Sequence, residues 1–137
     1  MYKFNIYDII YSLDPSLTQK AFIVYDRRVF ADHVQYYTGF NWMDEKYFVT
    51  KEKYIEALSK FSIGQSVTIS LSVTRNTDCE AMKQREGIKY QVQDIDVSIL
   101  GNIYCFIGDL WLKQDELEEY IELKEITSDE ITDILQG

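Results

Sequence analysis

The sequence predicts an α+β fold: one domain over residues 1–137, a mainly antiparallel sheet of about four to six strands packed with roughly two to four short helices. Three observations carry that expectation. Residues 66–74 alternate strictly, with Val67, Ile69, Leu71 and Val73 on one side and Ser66, Thr68, Ser70, Ser72 and Thr74 on the other, the period that a half-buried antiparallel strand requires. Tyr54, Ile55, Leu58 and Phe61 share a helical face opposite Lys51, Glu52, Lys53, Glu56 and Lys60, behind a Thr50 cap. Two β-rich apolar runs, 88–99 and 103–112, flank a turn at Gly101-Asn102 and predict a hairpin.

Taken in chain order, Ile6, Ile9, Ile10 and Leu13 follow helical spacing between Asn5, a possible cap, and the stop at Asp14-Pro15, with a strand over 2–7 as the rival reading. Ala21 to Tyr25 is a short β-rich run and predicts a buried strand. Val29, Phe30, His33, Val34 and Tyr37 fall on one helical stripe that ends at Gly39, and so predict a short helix. A brief strand at 47–49 leads into the Thr50-capped helix, which Gly64 closes. After the alternating strand, 75–87 is polar and reads as a long loop with a helical turn near Ala81-Met82. The inward face then changes parity near Gln93-Asp94, from Ile88, Tyr90 and Val92 to Ile95, Val97 and Ile99, which a β-bulge accomplishes. Gly108 marks a bend in the last long strand. Beyond it, the capping-box spacing of Asp115 to Glu118 predicts a short helix, followed by a strand over 120–126 and a terminal helix behind Thr127-x-x-Glu130.

Composition points to a folded chain: 46% hydrophobic and 15% aromatic residues lie well outside the range of disordered proteins. One proline and six scattered glycines leave no linker, and there is no repeat or low-complexity tract. Polar residues break up the apolar start, against a secretory signal, and every apolar run is too short to cross a bilayer. The expectation is a cytoplasmic protein with reduced thiols. Cys79, Cys105 and the single His33 have no zinc-type spacing, and no glycine-rich phosphate loop is present, so no cofactor is expected.

Charge is the most directional signal. Residues 109–137 hold ten acidic side chains against two lysines, −8 of the chain's net −9, while the first 108 residues are almost balanced. A concentrated negative field repels nucleic acid and anionic lipid and favours encounter with basic surfaces. The function expected on this basis is non-catalytic: docking on, and inhibiting, a basic protein that itself binds nucleic acid, with no direct nucleic-acid or membrane binding and with self-association possible. Asp115, Glu116, Glu118, Glu119, Glu122 and Glu125 supply the attraction, and Tyr36, Tyr37 and Trp42 the aromatic anchors. Such a mode of action is similar to that of toxin immunity, antirestriction and anti-CRISPR proteins, an analogy of function and not of sequence.

Other constellations compete with that reading. His33 beside Asp32 is the one group with an ordinary pKa near neutrality, yet it shares a stripe with Val29 and Phe30 and has no nucleophile in context. Asp94 and Asp96, two apart in a strand, put two carboxylates on one face with room for a divalent ion, where a polar outer face is also required of any half-buried strand. Asp109 on one strand, followed by Glu122-x-Lys124 on the next, resembles the restriction-nuclease-like pattern. That resemblance implies Mg²⁺ held by Asp109 and Glu122, with Lys124 supporting the attacking water. A glycine, Gly108, stands where a proline is common in that family, and Glu118, Glu119 and Glu125 crowd a surface that DNA has to approach. A third possibility is a small-ligand pocket between the sheet and the helices expected over 27–61.

Overall fold

A computed structural model describes residues 1–122. It is mixed α+β: eleven strands in three antiparallel sheets, with three short helices. In the first sheet β1 (Ile9–Ser12) lies between β2 (Ala21–Ile23) and β6 (Phe48–Val49). The second is a meander of β3 (Asp26–Val29), β4 (Val34–Tyr37) and β5 (Trp42–Asp44). The third takes the order β10-β9-β8-β7-β11 from β7 (Ser66–Ile69), β8 (Tyr90–Val97), β9 (Ile103–Ile107), β10 (Leu110–Lys113) and β11 (Leu117–Glu119). Helix α1 (Lys51–Leu58) joins the halves of the chain, and α2 (Leu71–Thr74) and α3 (Glu80–Lys83) are single turns. The strands are more numerous and shorter than the sequence suggests, because several apolar runs are folded back on themselves.

Several patterned segments form where expected, although α1 ends at Leu58 and not at Gly64. Thr50 caps α1, its hydroxyl oxygen accepting from the Lys53 N–H at 3.2 Å, and Tyr54 is the helix residue driven into the core. The β8–β9 register shifts between Val92 and Asp94, the bulge that the parity change demands. The strand at 21–23, the brief strand at 48–49 and the helical turn at 80–83 are also present.

Two predicted helices are strands. At 5–13 the chain turns instead: Asp8 N–H donates to the Asn5 carbonyl at 3.1 Å, Asn5 N–H to the Asp8 carboxylate at 2.8 Å, and Tyr7 takes φ 72°. Released as an extended segment, Ile9–Ser12 finds partners on both sides, which a lone short helix could not match. At 29–37, the Phe30 N–H bonds to the His33 carbonyl at 2.8 Å and closes a hairpin, with Val34 and Tyr36 inward and Gln35 and Tyr37 half-exposed.

The alternating run stops at Ile69. Ser70 donates its N–H to the Glu116 carbonyl at 2.8 Å, and its own carbonyl accepts from Val73 and Thr74, starting α2. Gly108, at φ 55°, makes a full hairpin turn between β9 and β10. The capping box near 115 closes a 3₁₀ turn, Gln114–Glu116, in which the Glu116 carboxylate accepts from the Lys113 N–H at 3.1 Å. The predicted terminal helix and most of the 120–126 strand lie outside the described residues.

Three apolar clusters hold this together. Phe4, Ile10, Phe22, Val24, Val34, Tyr36 and Phe48 fill the space under the first two sheets. Phe61, Val67, Ile69, Val92, Cys105, Ile107, Leu112 and Leu117 form the core of the third. Between them Tyr11, Ala21, Tyr54 and Ile103 make the joint, where the Tyr54 hydroxyl donates to the Gly101 carbonyl at 3.0 Å. Among the described residues no helix is long and apolar enough to cross a membrane.

Candidate functional site

Among the described residues β11 is the outer edge of the five-stranded sheet, pairing only with β7. Leu117 points into the core, while Glu118 and Glu119 are exposed, and Glu122 follows them, also exposed. Among the described residues none of the three has an ion-pair partner; Glu118 accepts only a hydrogen bond from the Ser70 hydroxyl, at 3.3 Å. Exposed charges on an edge also discourage stray strand pairing.

The other described acidic residues of this region, Asp109, Asp115 and Glu116, are committed internally. Asp115 is paired with Lys60 at 2.7 Å, and Glu116 is spent on its 3₁₀ turn. Asp109 sits in the β9–β10 turn and not on a strand, and Arg85 grips its two oxygens at 2.8 and 3.2 Å. That guanidinium holds the Asp109 carboxyl below its ordinary range. So of the Asp109, Glu122, Lys124 set, the first is clamped by a cation and the second is exposed beyond β11; Lys124, like Glu125, lies outside the described residues.

Asp94 and Asp96 do share one face of β8, opposite Phe106 and Tyr104. Lys51 takes Asp96 at 2.7 Å, and each carboxylate also accepts from the next backbone N–H at 2.8 Å. The Lys51 hydrogen bond keeps the Asp96 carboxyl below its ordinary pKa, and Asp96 in turn raises that of Lys51. Among the described residues no group of three or more His, Cys, Asp or Glu side chains is placed to hold a metal ion.

The aromatic anchors separate into two kinds. Tyr36, expected at the interface, is 0% exposed: it faces the core side of β4, where its hydroxyl is needed by the backbone of Lys3 and Phe4. Tyr37 and Trp42 are half-buried on the outer face, ring centroids 5.5 Å apart. They continue into a row that the sequence analysis missed. The Arg28 guanidinium lies 4.3 Å above Trp42 and 5.5 Å from Phe30, and Phe30 stacks on His33 at 4.4 Å. The signal was present as Arg28 and Phe30 two apart, but the helical assignment put them on different faces. Among the described residues the His33 side chain bonds to Asp32 alone, at 2.7 Å, at the tip of this exposed hairpin. The aromatic row and the glutamate edge stand on different sheets.

Compared with known proteins, the chain matches no family model, no curated protein and no solved structure.

Proposed function

We propose that this chain is a non-catalytic binding protein that docks on a basic, nucleic-acid-binding protein and inhibits it. The observation that supports this reading is the edge of β11: Glu118, Glu119 and Glu122 are exposed and without ion-pair partners among the described residues, whereas Asp109 and Asp115 are neutralised by Arg85 and Lys60. Carboxylates left unpaired on a surface keep their field for a partner, steering its approach and fixing its orientation. Trp42 and Tyr37, with large area and few rotamers to freeze, suit the slow-dissociating part of such a contact.

The test has two stages. Capture from the native host, with this chain as bait, is expected to return a basic protein whose nucleic-acid binding falls when the chain is added. Association measured by surface plasmon resonance is then expected to slow on the order of tenfold between about 50 and about 300 mM salt. The triple variant Glu118→Gln, Glu119→Gln, Glu122→Gln is expected to lose a similar factor in on-rate while melting normally. A salt-insensitive complex, or a partner that keeps its nucleic-acid binding, refutes the proposal.

A further inference from the structure

One short length of β2 is left open. Its bonds to β1 use even-numbered residues: Ser12 N–H donates to the Lys20 carbonyl and Val24 N–H to the Asp8 carbonyl, both at 2.9 Å, with Phe22 facing Ile10 between them. In an antiparallel pair the alternate residues then turn their polar groups outward. On that outward side Ala21 N–H donates to the Ile99 carbonyl at 3.0 Å, and Tyr25 N–H to the Tyr37 carbonyl at 2.8 Å. The Ala21 carbonyl accepts from the Gln19 side chain at 2.8 Å. Ile23, between them, has no outward backbone partner among the described residues. A single residue thus presents one N–H and one C=O side by side.

Ile23 lines a groove of about 720 Å³ together with Ile99 and Tyr37, whose carbonyls stand on that outward side, and its walls also include Ile9, Tyr25 and Phe40. Among the described residues no Asp, Glu, Lys, Arg or His lines it, on a chain of net charge −9. Phe40 stands 77% exposed at its lip, carried there by Gly39 at φ 93°. The opening is short. Ala21 and Tyr25 are about 14 Å apart along a strand, and both ends are already closed. An added β-strand would therefore find a partner at Ile23 alone and run into the chain at Ile99 and Tyr37. A flat ring fits that length.

We propose that this groove binds a small, uncharged, planar heteroaromatic molecule whose edge carries an acceptor beside a donor. The acceptor takes the Ile23 N–H and the donor is given to the Ile23 carbonyl, while the apolar walls cover the ring faces. Apolar walls with a few placed polar groups are the usual make-up of a small-molecule site. An ionised ligand would lose its hydration here with no counter-charge in the walls.

The test is a titration of the nitrogen-15-labelled full chain with 7-azaindole, a neutral bicycle with a ring-nitrogen acceptor next to an N–H donor. Its 1-methyl derivative lacks the donor and indole lacks the acceptor. The expected result is a saturable shift of the Ile23, Phe40 and Ile99 amides by 7-azaindole, with both analogues at least about tenfold weaker, because each leaves one Ile23 group dry and unpaired. Phe40→Glu, changed outside the core, is expected to abolish the shifts and leave the rest of the spectrum unaltered. Equal binding of all three compounds overturns the proposal. So do shifts confined to other residues, no shifts up to about 10 mM, or Ile23 broadening with protein concentration alone, which marks a second copy on this edge.

Discussion

Tyr36 secures the amino-terminal segment through one hydroxyl, which accepts from the Lys3 and Phe4 N–H groups at 3.2 and 3.1 Å and donates to the Glu45 carboxylate. Burial, reinforced by Glu45, pushes its pKa from 10.0 up to about 12. The unfolded chain therefore ionises first, so the contribution of Tyr36 is complete below pH 10.0 and drains away as pH climbs towards about 12. Tyr36→Phe is expected to cost about 1–3 kcal/mol at neutral pH, since it strands the buried Phe4 N–H. It is also expected to flatten the alkaline loss of stability in urea titrations at successive pH values; an unchanged alkaline slope contradicts that account. Tyr36, Tyr37 and Trp42 were indistinguishable in sequence because a tyrosine is equally at home in a core that offers its hydroxyl a partner and at a wet surface. Only strand register decides which neighbour goes in. The acidic residues were easier to read, being charged and hard to bury, although the pairing of Asp109 with Arg85 and of Asp115 with Lys60 depends on contacts far away in sequence.

Among the elements, α2 carries a defect that mutation can repair. Thr74 is 2% exposed and its hydroxyl has no hydrogen-bond partner among the described residues. Thr74→Val, nearly equal in shape, is expected to raise stability by about 1 kcal/mol, read from the urea midpoint; destabilisation would mean that the hydroxyl is bonded in solution. The same stretch shows why the long alternating strand was only half right. Serine and β-branched residues sustain a period of two on paper, but β11 offers β7 three partners, and Ser70 then turns the chain. α1 was legible in its cap, its start and its polar face, but it ends at Leu58 and not at Gly64, leaving Leu58 exposed and Phe61 beyond the helix. The segments 5–13 and 29–37 were not, since each contains helical spacing and β-branched residues together, and strands supplied from elsewhere settled the contest.

For the whole molecule, the joint between the two larger cores is the sensitive place. Gly101 has φ 86°, and a Cβ there would lie 2.4 Å from both the Tyr54 hydroxyl and Lys20 Cγ. Gly64 has nearly the same conformation, φ 89°, with nothing within 4 Å of that position. Gly64→Ala is therefore expected to cost about 1 kcal/mol from backbone strain alone, and Gly101→Ala at least about 1 kcal/mol more, because the bond that ties α1 to the third sheet is forced apart. Equal losses in urea unfolding would show that the joint yields without cost. The fold class was readable from composition and period; the division into three sheets was not, because it depends on where apolar runs double back.

The order of pairing along the chain has a consequence for synthesis. Both small sheets are completed within the first 49 residues, whereas β7, at 66–69, must wait for 117–119 before its outer partner exists. A ribosome releasing this protein hands over a leading half that can finish its ladders early, and a trailing half whose exposed edge stays vacant until almost the last described residue has emerged.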